Sequence, residues 1–106
     1  MAAKCLNLRI FEDGEGKMNL GLTDIKGSVL VISQFTLYAE CTKGRRPSFT
    51  DSAEPVTAEK LYERFVKILK STGAEVQTGS FGAKMLVDIK NDGPVTIVLD
   101  STALGL

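Results

Sequence analysis

The sequence predicts an α+β fold with a mostly β core and one long helix, built as a single domain over residues 1–106. Length and composition are the first reason: 106 residues with 43% hydrophobic and 25% charged side chains are typical of a globular domain with one modest core. The second is a single strong helical period over about residues 57–72. The third is a set of short apolar runs separated by turn residues, which favours strands around that helix.

The charge balance restricts how the chain can meet a nucleic acid. Basic and acidic residues number 13 each, so the formal net charge is zero. Proteins that bind along a nucleic-acid groove are usually basic, so any RNA contact is expected to be local, at one end of the molecule. No apolar run approaches the ~20 residues that span a bilayer, and no secretory signal is visible. We therefore expect a cytoplasmic protein without membrane contact, in which Cys5 and Cys41 stay reduced.

The absence of histidine restricts the chemistry. Neither a Ser-His-Asp nor a Cys-His triad can be built from this chain, and two cysteines cannot form a four-cysteine zinc site. No metal or cofactor is predicted. A hydrolase built on this sequence would need a carboxylate, a lysine, a water molecule or a group on the substrate for its proton transfers.

The first half of the chain contains one clear strand pattern. Residues 2–9 fit a helix or a strand equally well, and residues 12–17 form a turn whose Gly-x-Gly lacks the rest of a phosphate-binding loop. After a second turn at residues 24–27, residues 28–37 contain an apolar, β-branched run that is continuous from Val29 to Ile32 and resumes at Phe35 and Leu37, which predicts a strand covered on both faces. Ser33, Gln34 and Thr36 interrupt that run and need hydrogen-bond partners or a function.

The second half contains the helix and three predicted strands. Residues 42–55 are polar and predict a loop. Thr57 is the expected N-cap of the helix, and Gly73 lies just past its end. Its apolar stripe indicates core packing; the stripe consists of Leu61, Tyr62, Phe65, Val66 and Leu69. Strands are then predicted at residues 74–78, 84–90 and 95–99, with a turn at residues 91–94.

Two polar stretches are candidates for chemistry. In a regular strand Ser33 and Thr36 face opposite ways, so they can share a site only where the strand bends or ends. Free N–H groups at such an end can form an oxyanion hole, although the pattern alone favours side chains that satisfy neighbouring backbone groups. Residues 91–94 have the composition of a hairpin turn, in which Pro94 breaks the strand pairing.

Several motifs in order resemble the D-aminoacyl-tRNA deacylase family. Two carry most of the resemblance: Ser33-Gln34-Phe35-Thr36-Leu37 and Asn91-Asp92-Gly93-Pro94-Val95-Thr96. Four shorter stretches support it, beginning at Asn7, Gly16, Lys43 and Thr78. The resemblance runs from about residue 4 to Ser101.

The resemblance implies a barrel-like sheet and a homodimer with active sites at the interface. In that family the peptide corresponding to Gly93-Pro94 is cis and projects into the partner's site. Its carbonyl oxygens would exclude an L side chain but leave room for a D-amino acid or glycine, a filter that works by rejection. The implied activity is proofreading: hydrolysis of the ester of D-aminoacyl-tRNA, with the 3′ acceptor end of the tRNA as the bound partner.

The resemblance also implies roles for the site residues. Ser33, Gln34, Phe35 and Thr36 would form the floor of the catalytic pocket. Thr36 is one candidate nucleophile; the other mechanism uses the 2′-hydroxyl of the terminal ribose and a water molecule, and we favour it because no histidine activates Thr36. The terminal adenine would lie against two apolar side chains, although core packing explains them equally well; these are Phe81 and Met85.

Two further expectations follow from the resemblance. Arg45 and Arg46 could contact a phosphate of the acceptor end, or remain in a solvated loop or an intersubunit salt bridge. Family members carry a β-rich segment and most of a helix ahead of the stretch at Leu6, so we expect exposed strand edges here. Two other functions therefore stay open: a non-catalytic remnant or interaction module that keeps the fold, and a related tRNA-editing domain.

Overall fold

The computed structural model describes all residues, 1–106, and confirms the α+β class. In chain order the elements are α1 (Ala2–Asn7), β1 (Phe11–Glu12), β2 (Met18–Leu20), β3 (Ser28–Val31), a 3₁₀ helix (Phe35–Tyr38), α2 (Pro55–Ser71) and β4 (Glu75–Thr78). None of these helices has the length and apolar character needed to cross a membrane.

The strands form two separate two-stranded sheets. β1 and β2 pair antiparallel, whereas β3 and β4 pair parallel, from Ser28 beside Glu75 to Val31 beside Thr78. Parallel neighbours require a crossover, and α2 supplies it. The predicted barrel-like sheet is therefore wrong for this chain, because no third strand joins either pair to close a barrel.

Helix α2 is the most strongly specified element. Pro55 occupies its first turn, and the Glu54 carboxylate accepts hydrogen bonds from the backbone N–H of Thr57 at 2.9 Å and of Val56 at 3.4 Å. The Thr57 hydroxyl, followed by its N–H, lowers the pKa of Glu54 below its usual 4.5. Gly73, at φ +84°, ends the helix. The predicted helix is confirmed, but its N-cap is Glu54 and not Thr57, since a carboxylate here reaches the orphan N–H groups.

The core lies where α2 crosses α1 and the parallel sheet. Leu69 is 1% exposed and packs with Ala2 and Leu6, each 6% exposed. Side chains from β3 and β4, including Val29 and Val76, cover the other side of this cluster. Burying one leucine contributes about 1.5–3 kcal/mol, so the cluster fixes α2 against the sheet. It also resolves the ambiguity at residues 2–9, because a helix through Asn7 points both Ala2 and Leu6 into the core.

Three predicted strands differ from the structure. The strand expected at residues 28–37 ends at Val31, and the chain then turns into the 3₁₀ helix, since only four of its residues find a partner on β4. The strands expected at residues 84–90 and 95–99 are absent. Residues 84–99 make no backbone–backbone hydrogen bond, because no other strand of this chain lies beside them. The strand predicted at residues 74–78 is confirmed as β4.

The chain exposes an unusually large surface. Its accessible area is 8828 Å², whereas a compact monomer of this mass exposes about 5,800 Å². Its radius of gyration is 15.8 Å, against about 13 Å for a compact domain of 100 residues. Leu86 is 100% exposed and Val98 is 89% exposed, so residues 84–99 contribute to this excess.

Candidate functional site

The candidate site begins at the carboxyl end of the parallel pair. Val31 is the last residue of β3, and its carbonyl oxygen accepts two hydrogen bonds. One comes from the backbone N–H of Gly79 at 3.2 Å and the other from the Tyr62 hydroxyl of α2 at 3.0 Å. Beyond this point both chains leave the sheet, so the segments that follow β3 and β4 start side by side.

The floor, which we define as residues Ser33–Thr36, lies directly after β3. Gln34 is extended, with φ −150° and ψ 92°, and Phe35 begins the 3₁₀ helix. The Gln34 side-chain amide donates to the Thr36 hydroxyl. Ser33 and Thr36 are both half-buried, as a bend at the strand end allows. The structure therefore meets the condition under which these two hydroxyls can serve one site.

A polar contact and an aromatic contact hold the floor from the outside. The Ser52 hydroxyl donates to the carbonyl oxygen of Phe35 at 3.1 Å. The ring of Phe49 lies edge-on to the ring of Phe35, with centroids 5.2 Å apart. Phe35 nevertheless remains 61% exposed, so its outer face is open to a ligand or another chain.

The structure places Phe81 and Met85 beside residues that lead into the floor or support it. The Met85 sulfur accepts the backbone N–H of Ser80 at 3.3 Å. A Cβ at Gly79 would lie 2.8 Å from that sulfur and 2.9 Å from Cδ1 of Ile32, so glycine lets Met85 lie against the residue that precedes the floor. The Phe81 ring lies 5.6 Å from the Tyr62 ring, at 44°. Both predicted adenine contacts are half-buried.

The turn that contains Gly93-Pro94 stands apart from the floor within one chain. Its peptide bond is cis, as the resemblance implies, and Gly93 has φ +142°. Asn91 clamps the turn: its Oδ1 accepts the N–H of Val95 at 2.8 Å, and its Nδ2 donates to the Thr96 hydroxyl at 3.2 Å. These side-chain bonds are local, and both residues of the cis peptide are exposed. No hydrogen bond joins this turn to the floor of its own chain.

The basic loop carries free cations. A bridge between Glu40 and Ser48, with bonds of 2.8 and 3.0 Å, closes the loop that presents Arg45 and Arg46 to solvent. The chain contains one salt bridge, from Lys17 to Glu15, so neither arginine is paired within it. Hydrogen bonds from Thr42, its hydroxyl before its N–H, lower the pKa of Glu40 below the usual 4.5.

Three contributors to the site were not singled out by the sequence. Tyr62 was assigned to core packing because it lies on the helical stripe. Nothing in the local sequence indicates which group its hydroxyl bonds. Ser52 lies in the loop, where polar residues are expected. Asn91 belongs to the turn motif, and its tendency to bond backbone groups nearby was a usable signal. Leu61 of the same stripe is 60% exposed, so its assignment to the core is wrong.

The fold and the floor identify the chain as a small α+β protein with a candidate site for a carbonyl compound. Its candidate site is made from hydroxyl, amide, aromatic and main-chain groups at the end of a parallel strand pair. Such groups can hold and polarise a carbonyl, but none is a strong base at neutral pH.

Residues 1–100 match the sequence model of the family described as D-Tyr-tRNA(Tyr) deacylase. The chain belongs to this family, and the relationship inferred from its motifs is confirmed.

Three similar proteins show the extent of the match. The D-aminoacyl-tRNA deacylase of Fervidobacterium nodosum is 57% identical over 101 residues, which cover 95% of this chain and 68% of that protein. The D-aminoacyl-tRNA deacylase of Thermosipho melanesiensis is 63% identical over 99 residues, covering 92% and 66%. A solved structure titled c-Myc DNA Unwinding Element Binding Protein aligns with a TM-score of 0.84 at 42% identity, covering 94% and 68%. The chain thus spans about two thirds of the length of the relatives it matches.

Proposed function

We propose that this chain hydrolyses the ester bond of D-aminoacyl-tRNA or glycyl-tRNA in the cytoplasm, releasing the free amino acid and tRNA. Membership of the deacylase family over residues 1–100 carries the proposal. The open strand end with its floor supports it, because that end offers hydroxyl and main-chain groups to an ester carbonyl. Water adds to the carbonyl carbon, the ester C–O bond breaks, and the ribose oxygen leaves with a proton.

The proton transfers are assigned to the substrate and not to the protein. The floor contains no carboxylate, amine or imidazole, and the Thr36 hydroxyl receives its hydrogen bond from an amide, which cannot act as a base. The 2′-hydroxyl of the terminal ribose is the nearest group of the substrate able to relay a proton between water and the leaving oxygen. The protein's share is to hold the carbonyl with main-chain N–H groups while Phe81 and Met85 contact the adenine.

Chirality is assigned to the main-chain carbonyls of Gly93 and Pro94. The turn is exposed and clamped by Asn91, so it presents these carbonyls on a fixed scaffold. Because the turn makes no hydrogen bond to its own floor, it is free to enter the site of a second copy. There its oxygens would lie where an L side chain points, and would leave space for hydrogen or for a D substituent.

A homodimer is proposed because it would bring the Gly93-Pro94 turn to a floor, and also because the single chain leaves much surface and backbone uncovered. The surface exceeds that of a compact monomer by about 3,000 Å², comparable with the total area buried in obligate interfaces. Residues 84–99 combine strand-like alternation with unpaired backbone groups, a combination that pairs readily with another strand. A second copy would provide such strands and at the same time bring Gly93-Pro94 to the floor.

The function is tested with the two enantiomers of one substrate. Purified chain is incubated with D-tyrosyl-tRNA and with L-tyrosyl-tRNA, and the remaining ester is followed over time. We expect rapid loss of the D ester and loss of the L ester only at the rate seen without protein. Stability of both esters, with a folded dimer by light scattering, would indicate an interaction module. Activity on another aminoacyl-tRNA only would indicate a related editing domain.

The proton assignment is tested by Thr36→Ala, with Thr36→Ser as the matched control. Loss of a true nucleophile lowers kcat by about a millionfold in a well-studied serine hydrolase. We expect Thr36→Ala to retain kcat within about tenfold, since only a floor hydrogen bond is lost. Single-turnover hydrolysis of D-tyrosyl-tRNA measures this. Abolished turnover in the alanine variant, with substrate binding and dimer intact and the serine variant active, would make Thr36 the nucleophile.

We also propose that Arg45 and Arg46 contact phosphates of the acceptor end, because both are exposed and unpaired. Replacing both by alanine should weaken tRNA binding and reduce the slope of log K against log salt by about 0.7–0.9 for each lost contact. Fluorescence titration of tRNA at several salt concentrations measures the slope. Lys60→Ala with Lys67→Ala, on the exposed face of α2, removes the same charge and should leave the slope unchanged. An unaltered slope in the arginine variant would end this assignment.

A further inference from the structure

We propose that Tyr62 is a positioning residue for this site, with its hydroxyl fixing the strand end that leads into the floor and its ring fixing Phe81. The inference rests on the proposed hydrolase function. It adds a residue outside the motifs that suggested that function, on a helix with no other bond to the floor region.

The hydroxyl acts on the last carbonyl of β3. A carbonyl oxygen has two lone pairs, and at Val31 both are used. The Gly79 N–H, at 3.2 Å, continues the strand pairing, whereas the Tyr62 hydroxyl, at 3.0 Å, arrives from a helix 31 residues away in the sequence. Val31 lies two residues before Ser33. A strand end held by one terminal ladder bond frays easily, so the second donor limits how far the floor can move.

The Tyr62 ring contacts Phe81, which follows β4 on the other side of the site from the floor. The Tyr62 and Phe81 rings lie 5.6 Å apart at 44°, within the range of favourable aromatic pairs. Phe81 itself follows the glycine whose N–H meets the same Val31 carbonyl, two residues after Gly79. One side chain therefore contacts both the approach to the floor and the side chain assigned to the adenine. A change at Tyr62 should alter both the ester geometry and the adenine contact.

The two contacts can be separated by substitution. Tyr62→Phe keeps the ring and removes the hydroxyl, whereas Tyr62→Leu removes both. Tyr38→Phe is the matched control, because Tyr38 is 62% exposed and its hydroxyl makes no hydrogen bond in the structure. For each variant kcat and KM for D-tyrosyl-tRNA are measured per folded molecule, together with Kd for a non-hydrolysable amide of D-tyrosine and 3′-amino-3′-deoxyadenosine.

The two variants should differ in which constants they change: kcat alone, or kcat together with KM and Kd. Tyr62→Phe should lower kcat about threefold to tenfold with KM and Kd unchanged, which is the effect of one lost hydrogen bond in the transition state. Tyr62→Leu should lower kcat similarly and also raise KM and Kd. Tyr38→Phe should match the wild type. A merely structural Tyr62 would lower melting temperature or folded fraction in both variants but leave kcat, KM and Kd per folded molecule unaltered, and that result overturns the proposal.

Failure of the proposed function is recognised in the wild type. If the wild-type chain leaves D-tyrosyl-tRNA intact, the hydrolase assignment fails and Tyr62 is judged by the analogue alone. Weaker analogue binding by Tyr62→Leu than by Tyr62→Phe then supports positioning of Phe81. Equal binding by the two variants, or no binding by the wild type, overturns the proposal. If the wild type is active and Tyr62→Phe keeps its full kcat, the positioning role fails while the function stands.

Discussion

The candidate site depends on the carbonyl oxygen of Val31, which we call the junction. It accepts one hydrogen bond from a backbone N–H just past β4 and one from a phenol hydroxyl of α2. It lies at the open end of the only parallel strand pair. The core cluster around Leu69 holds α2 against that pair, and so brings the Tyr62 hydroxyl within hydrogen-bonding distance. From the junction the chain enters the floor in one direction, and Gly79 leads to Phe81 and Met85 in the other. The packing of the core therefore sets the geometry of the candidate site.

The site as proposed would work without an ionisable catalyst, because its proposed task is to place an ester and to exclude the wrong enantiomer. Main-chain groups serve both purposes well. Their positions are set by the fold, whereas a flexible side chain would have to be ordered at an entropic cost. Asn91 and Ser52 illustrate the division of work: each uses its side chain to hold backbone, the first at the Gly93-Pro94 turn and the second at the floor.

Sequence patterns predicted those parts of the molecule that depend on local chemistry. Helix α2, strand β4 and the turns followed from periodicity, capping residues or turn composition, whereas the two principal motifs were recognised by their resemblance to a family. The N-cap was misplaced by three residues because a glutamate before proline also satisfies the first N–H groups. The strands expected at residues 84–90 and 95–99 required a partner strand, which no local pattern reveals. The Tyr62 hydrogen bond joins residues 31 positions apart, and its ring looked like ordinary core.

The exposed segment at residues 84–99 connects the fold to the proposed assembly. It combines alternating apolar residues, unpaired backbone and the Gly93-Pro94 turn in one stretch that its own chain does not cover. The proposed site completed by a second copy would account for all three features together. That shared site is the central claim, because the proposed chirality filter depends on it.

Mixed dimers test this claim most directly. Gly93→Ala displaces the turn, since a Cβ there would lie 2.8 Å from Cγ2 of Val95. Phe35→Pro disables the floor because it removes the Phe35 ring and N–H. The backbone should keep its course, since proline is tolerated at the first helical position and the extended Gln34 precedes it. Alone, the first variant should hydrolyse both D- and L-tyrosyl-tRNA, and the second neither.

The measured quantity is hydrolysis of L-tyrosyl-tRNA by Gly93→Ala chains mixed with an excess of Phe35→Pro chains. If the turn acts in the partner's site, each working floor then faces an intact turn. Hydrolysis of the L ester should fall towards the rate without protein, while hydrolysis of the D ester continues. Undiminished hydrolysis of the L ester in the mixture, with mixed dimers demonstrated by mass, would contradict a site shared between two copies.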